Sequence, residues 1–416
     1  MILFYLLIAV TPLTQHHFWA RFVGDLTIVK YLGLTCVPYA LIHLAARRKL
    51  PSFFATRQAR LLVILYMIAT ISFMLERQIP WKNSHWLSYT SYLVFFFVTL
   101  AVVDSVQRIR WVVLVALGSL AFASLYVLRD WQKYHTVYAD FRPGWVVGDP
   151  NYFAISVLPF LPIGFLLMQE LRPMWQRWFC FGCLAITLAG LMLSASRGGS
   201  LGLLASCLFL IAKSKHRLRN LAVIGTLLLV FVVVSPTSPL HRWQNPTHGD
   251  QVSVDTRLAL WRGGLRMVQA NPILGVGLDN FKYVVMRYIR PEDELPTEMQ
   301  QHVAHNSYVE IAAEMGVPAL LVFLAILFCT TSSLEDVRRR TQDCGPALVN
   351  QVALGLQAGL IGAAVAIFFV SGHYEKLLWL AIFLSMCMQG LVPKPSKRAR
   401  QTKGEAPGTP CLNNRP

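Results

Sequence analysis

Apolar runs of roughly 15–20 residues recur along the whole of this 416-residue chain, each near the length at which a helix crosses the hydrocarbon core of a bilayer. Lipid offers no partner to a bare N–H or C=O, so such a chain has to fold as membrane-crossing helices rather than as a string of soluble domains. The runs fall at 2–12, 26–45, 60–75, 86–103, 111–127, 151–169, 178–194, 199–212, 221–235, 305–330, 347–370 and 377–393. That makes twelve crossings in an all-α polytopic membrane protein. The first is short and broken by Pro12, but it has neither the basic leader nor the small-residue cleavage site of a signal peptide, and it reads as a helix. Only 14% of the residues are charged, against the ~25% usual in soluble chains.

The remaining charge is uneven: 38 Lys and Arg against 21 Asp and Glu, a net of +17. In a polytopic chain this excess reads as topology before it reads as nucleic-acid binding. Arg47, Arg48, Lys49, Arg57 and Arg60 follow the second run, Lys213, Lys215, Arg217 and Arg219 the eighth, and Lys394, Lys397, Arg398, Arg400 and Lys403 the last. Arg108, Arg110, Arg172, Arg177, Arg338, Arg339 and Arg340 fall on the same set of alternate connections. The positive-inside rule makes that side cytoplasmic, with both termini on it and anionic membrane lipid as its neighbour. The segment 394–416 has the composition of a disordered basic tail. The opposite side receives two substantial loops, 128–150 and 236–304, within a single transmembrane domain spanning 1–393. No outer loop contains a cysteine, so no disulfide framework is expected, and the CxxC at Cys180 and Cys183 lies inside an apolar run as small packing residues.

On the outer side, residues exceed structural need. Between the seventh and eighth runs there is no polar loop, only Ser194, Ser196, Arg197, Gly198, Gly199 and Ser200. A charge placed like Arg197 either snorkels to lipid headgroups or faces a cavity or an anionic partner. The adjacent glycines would let another backbone or a bulky ligand approach closely. In the larger loop, VSVDTRLALWRGGLRMVQA has the pattern of a short amphipathic helix at the membrane surface, with Ser253 or Asp255 as its cap, Arg257 near its start and Trp261 one turn further on. NPILGVG ends it: Pro272 stops the helix, and Gly275 and Gly277 allow a turn back to the protein body. The loop closes on QHVAHNSYVEIAAEMG. On a helix His302, Asn306 and Glu310 would share one face, with Glu314 a turn beyond Glu310. Carboxylates and His305 at the head of a lipid-facing helix are costly unless they line a protein cavity. His305 taken alone could instead cap that helix or pair with a neighbour. The acidic Glu292, Asp293 and Glu294 read as a surface loop rather than a metal site.

Arg197, Arg257 and His305 thus face one side of the membrane. Two guanidinium forks held apart suit a diphosphate, and an imidazole can take a proton from an alcohol near neutral pH. A membrane-bound lipid diphosphate with a pyrophosphate leaving group would use both functions; an anion transporter would also need the arginines.

At these residues the chain resembles the O-antigen ligase and O-antigen polymerase superfamily of bacterial inner-membrane proteins. The resemblance rests on DPNYFA at 149–154, SRGG at 196–199, DTR at 255–257 with the tryptophan and NPILGVG that follow, and HNSYVEIAAEMG at 305–316. Before residue 150 the match is in hydropathy only. The resemblance implies a GT-C-like, multi-span glycosyltransferase facing the periplasm, using no metal or cofactor and taking an undecaprenyl-diphosphate-linked glycan as donor. On its terms Arg197 and Arg257 bind the donor diphosphate and stabilise its departure. His305 activates or orients the acceptor hydroxyl, and Glu310, Asn306, Asn151 and Asp149 support them. Attack at the anomeric carbon inverts it and releases undecaprenyl diphosphate. In the ligase branch the acceptor is a sugar hydroxyl of lipid A–core. An O-antigen polymerase or a protein O-oligosaccharyltransferase would differ in the acceptor; the compact length, the single late loop and the lack of a large soluble domain after the last run favour the ligase. A lipid-linked glycan transporter, the alternative of a different class, would place polar or Gly/Pro-broken spans in pairs near midmembrane, whereas here the ionisable residues gather at the outer rim.

Overall fold

The computed structural model describes residues 1–13, 28–46, 53–75, 85–137, 141–144, 149–214, 225, 248–293, 302–342 and 346–392. In chain order its principal helices are α1 (Ile2–Val10), α2 (Ile28–Ala45), α3 (Arg57–Leu75), α4 (His85–Val102), α5 (Val106–Tyr134), α6 (Pro150–Val157), α7 (Leu161–Glu170), α8 (Met174–Leu193), α9 (Arg197–Lys213), α10 (His248–Ala270), α11 (Ser307–Thr341), α12 (Ala347–Ala366) and α13 (Lys376–Leu391). Eight helical segments among the described residues are long and apolar enough to cross a membrane: α2 to α5, the α6–α7 pair, α8, α11 and α12. Shorter apolar helices stand at the first, eighth and last expected crossings, as α1, α9 and α13. The described chain contains no strand, so this is an all-α, multi-pass membrane protein. The expected crossing at 221–235 and the tail at 394–416 lie outside the described residues.

Three boundaries differ from the sequence reading, each for a local reason. The run at 151–169 is two helices, broken at 158–160, where Pro159 and Pro162 remove N–H donors and restrict the residues before them. Helix α5 continues to Tyr134, so the loop expected at 128–150 begins as helix. Arg129 pairs with Asp130 at 2.7 Å and lies 4.9 Å over the Tyr126 ring, which suits a helix leaving the hydrocarbon. Helix α11 runs well beyond residue 330, because Glu335 and Asp336 pair with Arg338, Arg339 and Arg340 one turn on and carry it out of the apolar region.

The last of these helices is the centre of the bundle. Every residue of α13 from Leu377 to Met388 is buried, and a helix apolar on all sides belongs in a core. Trp379 stacks on Tyr92 of α4 at 5.3 Å. Around it α9 packs closely on α12, where a Cβ on Gly202 would come within 2.5 Å of the Gly362 carbonyl. Small residues set that contact, as expected for helices associating without a hydrophobic drive between them. Leu34, Met67, Trp178, Phe181 and Phe328 stand exposed on the outside, an apolar surface suited to lipid. A separate small cluster, including Leu260, Met267, Val276, Phe281 and Ala313, joins α10 to the head of α11.

Candidate active site

The first piece of the site is the tight turn between α8 and α9. Ala195 takes a left-handed conformation (φ +47°), and Ser196 caps α9 by accepting from the Gly199 N–H at 3.2 Å. The Ser196 hydroxyl donates to Asn151 Oδ1 at 2.8 Å, and Asp149 caps α6 by accepting from the Asn151 N–H at 2.7 Å. Arg142 donates to the carbonyls of Ser194 and Ala195, both at 3.3 Å. This polar knot fixes Arg197 as the first residue of α9. The glycines after it serve protein packing and do not open a path for a ligand: a Cβ on Gly198 would lie 2.9 Å from Phe369 Cβ, and one on Gly199 2.5 Å from Ala154 Cβ.

The second piece is α10, which carries Arg257. It begins at His248, so positions 253 and 255 lie within the helix and not at its start. One turn after Arg257, Trp261 Nε1 donates to the Ala304 carbonyl at 2.9 Å, and the indole meets the Phe368 ring edge-on. Beyond the end of α10 the turn 271–277 docks on α11 through main-chain bonds. Val276 and Gly277 donate to the carbonyls of Ala313 (2.9 Å) and Glu314 (3.1 Å), while Val317 donates to the Pro272 carbonyl at 2.8 Å. Helix α11 can offer these groups because it kinks at Gly316 (φ +83°) and because Pro318 has no N–H for the Glu314 carbonyl. Side chains are shut out on both sides. A Cβ on Gly275 (φ +68°) would sit 2.2 Å from the Glu314 carbonyl carbon, and one on Gly316 2.1 Å from the Ile273 oxygen.

The third piece is His305. The helix starts only at Ser307, with Asn306 as its cap, the Oδ1 accepting from Tyr308 N (3.0 Å) and Val309 N (3.2 Å). His302 and Asn306 therefore do not share a helical face with Glu310, and His305 is not the cap. His305 instead has φ +48°, an uncommon conformation for a residue with a side chain. The preceding residue holds it there: the Ala304 N–H donates to Glu310 Oε2 at 3.2 Å while its carbonyl takes the Trp261 indole. Glu310 also accepts from Ser371, and Glu314 accepts from the Phe281 N–H (3.1 Å) and the Tyr374 hydroxyl (3.3 Å). Ser307 receives the N–H groups of Gly372 and His373 at 2.8 and 3.2 Å. Both carboxylates are thus buried braces between α11, the segment linking α10 to α11 and the turn 370–375.

Electrostatically the pieces form one site. Burial lowers the pKa of the Arg257 guanidinium from its ordinary value, with Asp149 opposing and Arg197 adding to the shift. Burial, then the charge of Arg257, pushes the His305 imidazole down to about 4, against the pull of Asp149. Its Nδ1 is buried without a hydrogen bond among the described residues. Arg257 therefore senses Arg197 and Asp149, and His305 senses Arg257 and Asp149, with Asn151 next to Asp149 and Asn306 and Glu310 behind His305. Among the described residues no group of three or more His, Cys, Asp or Glu side chains could hold a metal ion.

The O-antigen ligase family model, Wzy_C, matches residues 182–324. The match covers about a third of the chain and supports assigning it to the O-antigen ligase family. No curated protein matches it significantly. The matched part holds Arg197, Arg257, His305 and both sides of the Gly275–Gly316 contact. Asp149, Asn151 and Arg142 precede it. Sequence reasoning missed Arg142, although it too is an arginine on the outer side of the charge map. It also missed the turn 370–375, marked by the polar stretch SGHYEK between two apolar runs.

Proposed function

We propose that this protein, a multi-pass enzyme of the bacterial inner membrane, transfers an O-antigen glycan from undecaprenyl diphosphate to a sugar hydroxyl of lipid A–core at the periplasmic face. The observation that carries the reading is the convergence of Arg197, Arg257 and His305 from three separate elements on one end of the bundle, with Arg257 half-buried and within electrostatic reach of Arg197. Two guanidinium groups within electrostatic reach of each other suit an anion with several oxygens. The donor diphosphate fills that place. As the bond from the anomeric carbon to the diphosphate oxygen breaks, its electron pair moves onto the diphosphate, where the preorganised arginines stabilise it. The acceptor oxygen forms the new bond from the opposite face, inverting the centre, and its proton passes to the His305 imidazole. In the empty site that imidazole is held neutral. A bound diphosphate offsets the charge of Arg257 and raises the imidazole's proton affinity, so base strength arrives with the donor. Glu310 and Asn306 position His305; Asp149 and Asn151 position the Arg197 turn. In this orientation both termini are cytoplasmic.

The test is a transfer assay with purified protein, lipid-linked glycan and three acceptors in turn: lipid A–core, a second lipid-linked repeat, and a Ser/Thr peptide. Product with lipid A–core alone is expected. Product with the second repeat alone makes the enzyme a polymerase, and no product with any acceptor points to a transporter. Arg197→Ala, Arg257→Ala and His305→Ala should insert normally, and each arginine variant should lose about 10²–10³ in rate. Wild-type turnover in all three would sink the assignment.

A further inference from the structure

A cavity of about 500 Å³ lies between α1, α2 and α4, away from the arginines. That is within the ~300–1,000 Å³ typical of small-ligand sites. Its wall is mainly apolar, with Leu7, Leu34, Val94, Phe95 and Val98 along it, and Lys30 and Lys376 in its lining. Lys30 stands near the start of α2, and Lys376 and His85 at the starts of α13 and α4. His85 also lines the cavity; it stacks on Tyr374 at 3.7 Å and pairs with Asp279 at 3.2 Å, so the charged end is the end of the bundle that carries the candidate active site. From His85 to Val98 helix α4 rises about 20 Å, enough to follow an acyl chain well into one leaflet. Leu34 is 60% exposed, which leaves the cavity open sideways to lipid.

The two lysines are the informative part. The charge of Lys30 reaches Lys376, after the larger opposing effect of the neighbouring Glu375, and the cavity lining itself contains no carboxylate among the described residues. The Glu375 carboxylate accepts from the Ser156 hydroxyl at 2.9 Å outside the lining and offsets Lys376 only in part, and Lys30 faces no carboxylate in the cavity wall. Two like charges at the mouth of an apolar slot are unfavourable unless an anion lies between them. We propose that this cavity binds an anionic phospholipid of the bilayer, its phosphate between Lys30 and Lys376 and one acyl chain along α4. The donor lipid is the less apt occupant, because the residues assigned to its diphosphate sit on α9 and α10, which contribute nothing to this lining. The occupied cavity would buttress α4 and α13 directly beneath the Tyr374 turn that braces Glu314.

The experiment uses the purified full-length chain in detergent, titrated with phosphatidylglycerol, phosphatidylcholine or undecaprenyl phosphate and read by native mass spectrometry. Phosphatidylglycerol should be retained at least about tenfold more strongly than phosphatidylcholine, the scale of one charge-assisted contact. The double variant Lys30→Gln/Lys376→Gln should lose that preference. Gly33→Phe provides a second handle: Gly33 lines the cavity and a Cβ there meets nothing within 4 Å, so a side chain can enter the slot at this point and its ring should abolish retention of the lipid. Equal retention of the two phospholipids, or a preference untouched by both variants, overturns the proposal. So does stronger retention of undecaprenyl phosphate, which would give the cavity to the donor's chain. The readout is lipid retention and not transfer, so its failure is distinct from failure of the proposed reaction.

Discussion

The two arginines of the candidate site are seated in different ways. Arg197 opens a helix locked into the membrane bundle by small residues, with backbone touching backbone across α9 and α12 and Gly199 pressed on Ala154. Arg257 rides on α10, which reaches the bundle through a small apolar cluster, one indole hydrogen bond and the main-chain clamp between the turn 271–277 and the kink in α11. The first seat can fail only with the bundle. The second can open by itself, because few groups hold it and local opening follows the least-braced elements. One cation is thus fixed to the membrane domain, while the other sits on a piece whose position can be changed separately.

The largest effect should come from attacking the first seat. Gly199→Leu forces a side chain into Ala154, and overpacking of this kind costs about 1–3 kcal/mol or more. Melting temperature and transfer should fall together. Gly275→Ala attacks the second seat, where the neighbouring atoms are Glu314 backbone and cannot give way. Turnover should drop about tenfold or more, for a strain of about 1–3 kcal/mol, while the bundle melts as before. Hydrogen exchange should show α10 alone losing protection; equal loss in α9 would erase the distinction between the seats. Trp261→Phe keeps the ring and removes the bond to the Ala304 carbonyl, a loss of about 1 kcal/mol and a severalfold fall in kcat. A separate test is a pH effect on stability. The unfolded chain protonates His305 near its ordinary 6.5 and the folded chain only near 4, so stability falls as pH falls between those values and levels off below. Denaturant titrations of wild type and His305→Gln across that range should diverge; parallel curves would show that the imidazole is not held neutral.

Much of the helical bundle was legible because hydropathy is a one-dimensional signal. Arg197 stood out by lying on the wrong side of the charge map, and Arg257 by its place on an amphipathic helix. What could not be read depends on groups far apart in the chain. Pro318 looks like an ordinary membrane-helix proline until the turn at 271–277 is seen to use the carbonyl it leaves bare. Glu310 and Glu314 looked like cavity linings because their partners, Ser371 and Tyr374, come about sixty residues later. The left-handed backbone of His305 has no sequence mark, since histidine is only mildly favoured there.

The buried position of α13 also bears on how the protein is made. It is the last described helix in the chain, yet α4, α11 and α12 all pack against it. Helices released earlier from the ribosome must wait around a vacant axis until residues 376–391 arrive to fill it. During that interval their inner faces are exposed to lipid or to an insertion chaperone, and a chain stopped short of this helix is left without its hub for the cell's quality control to recognise.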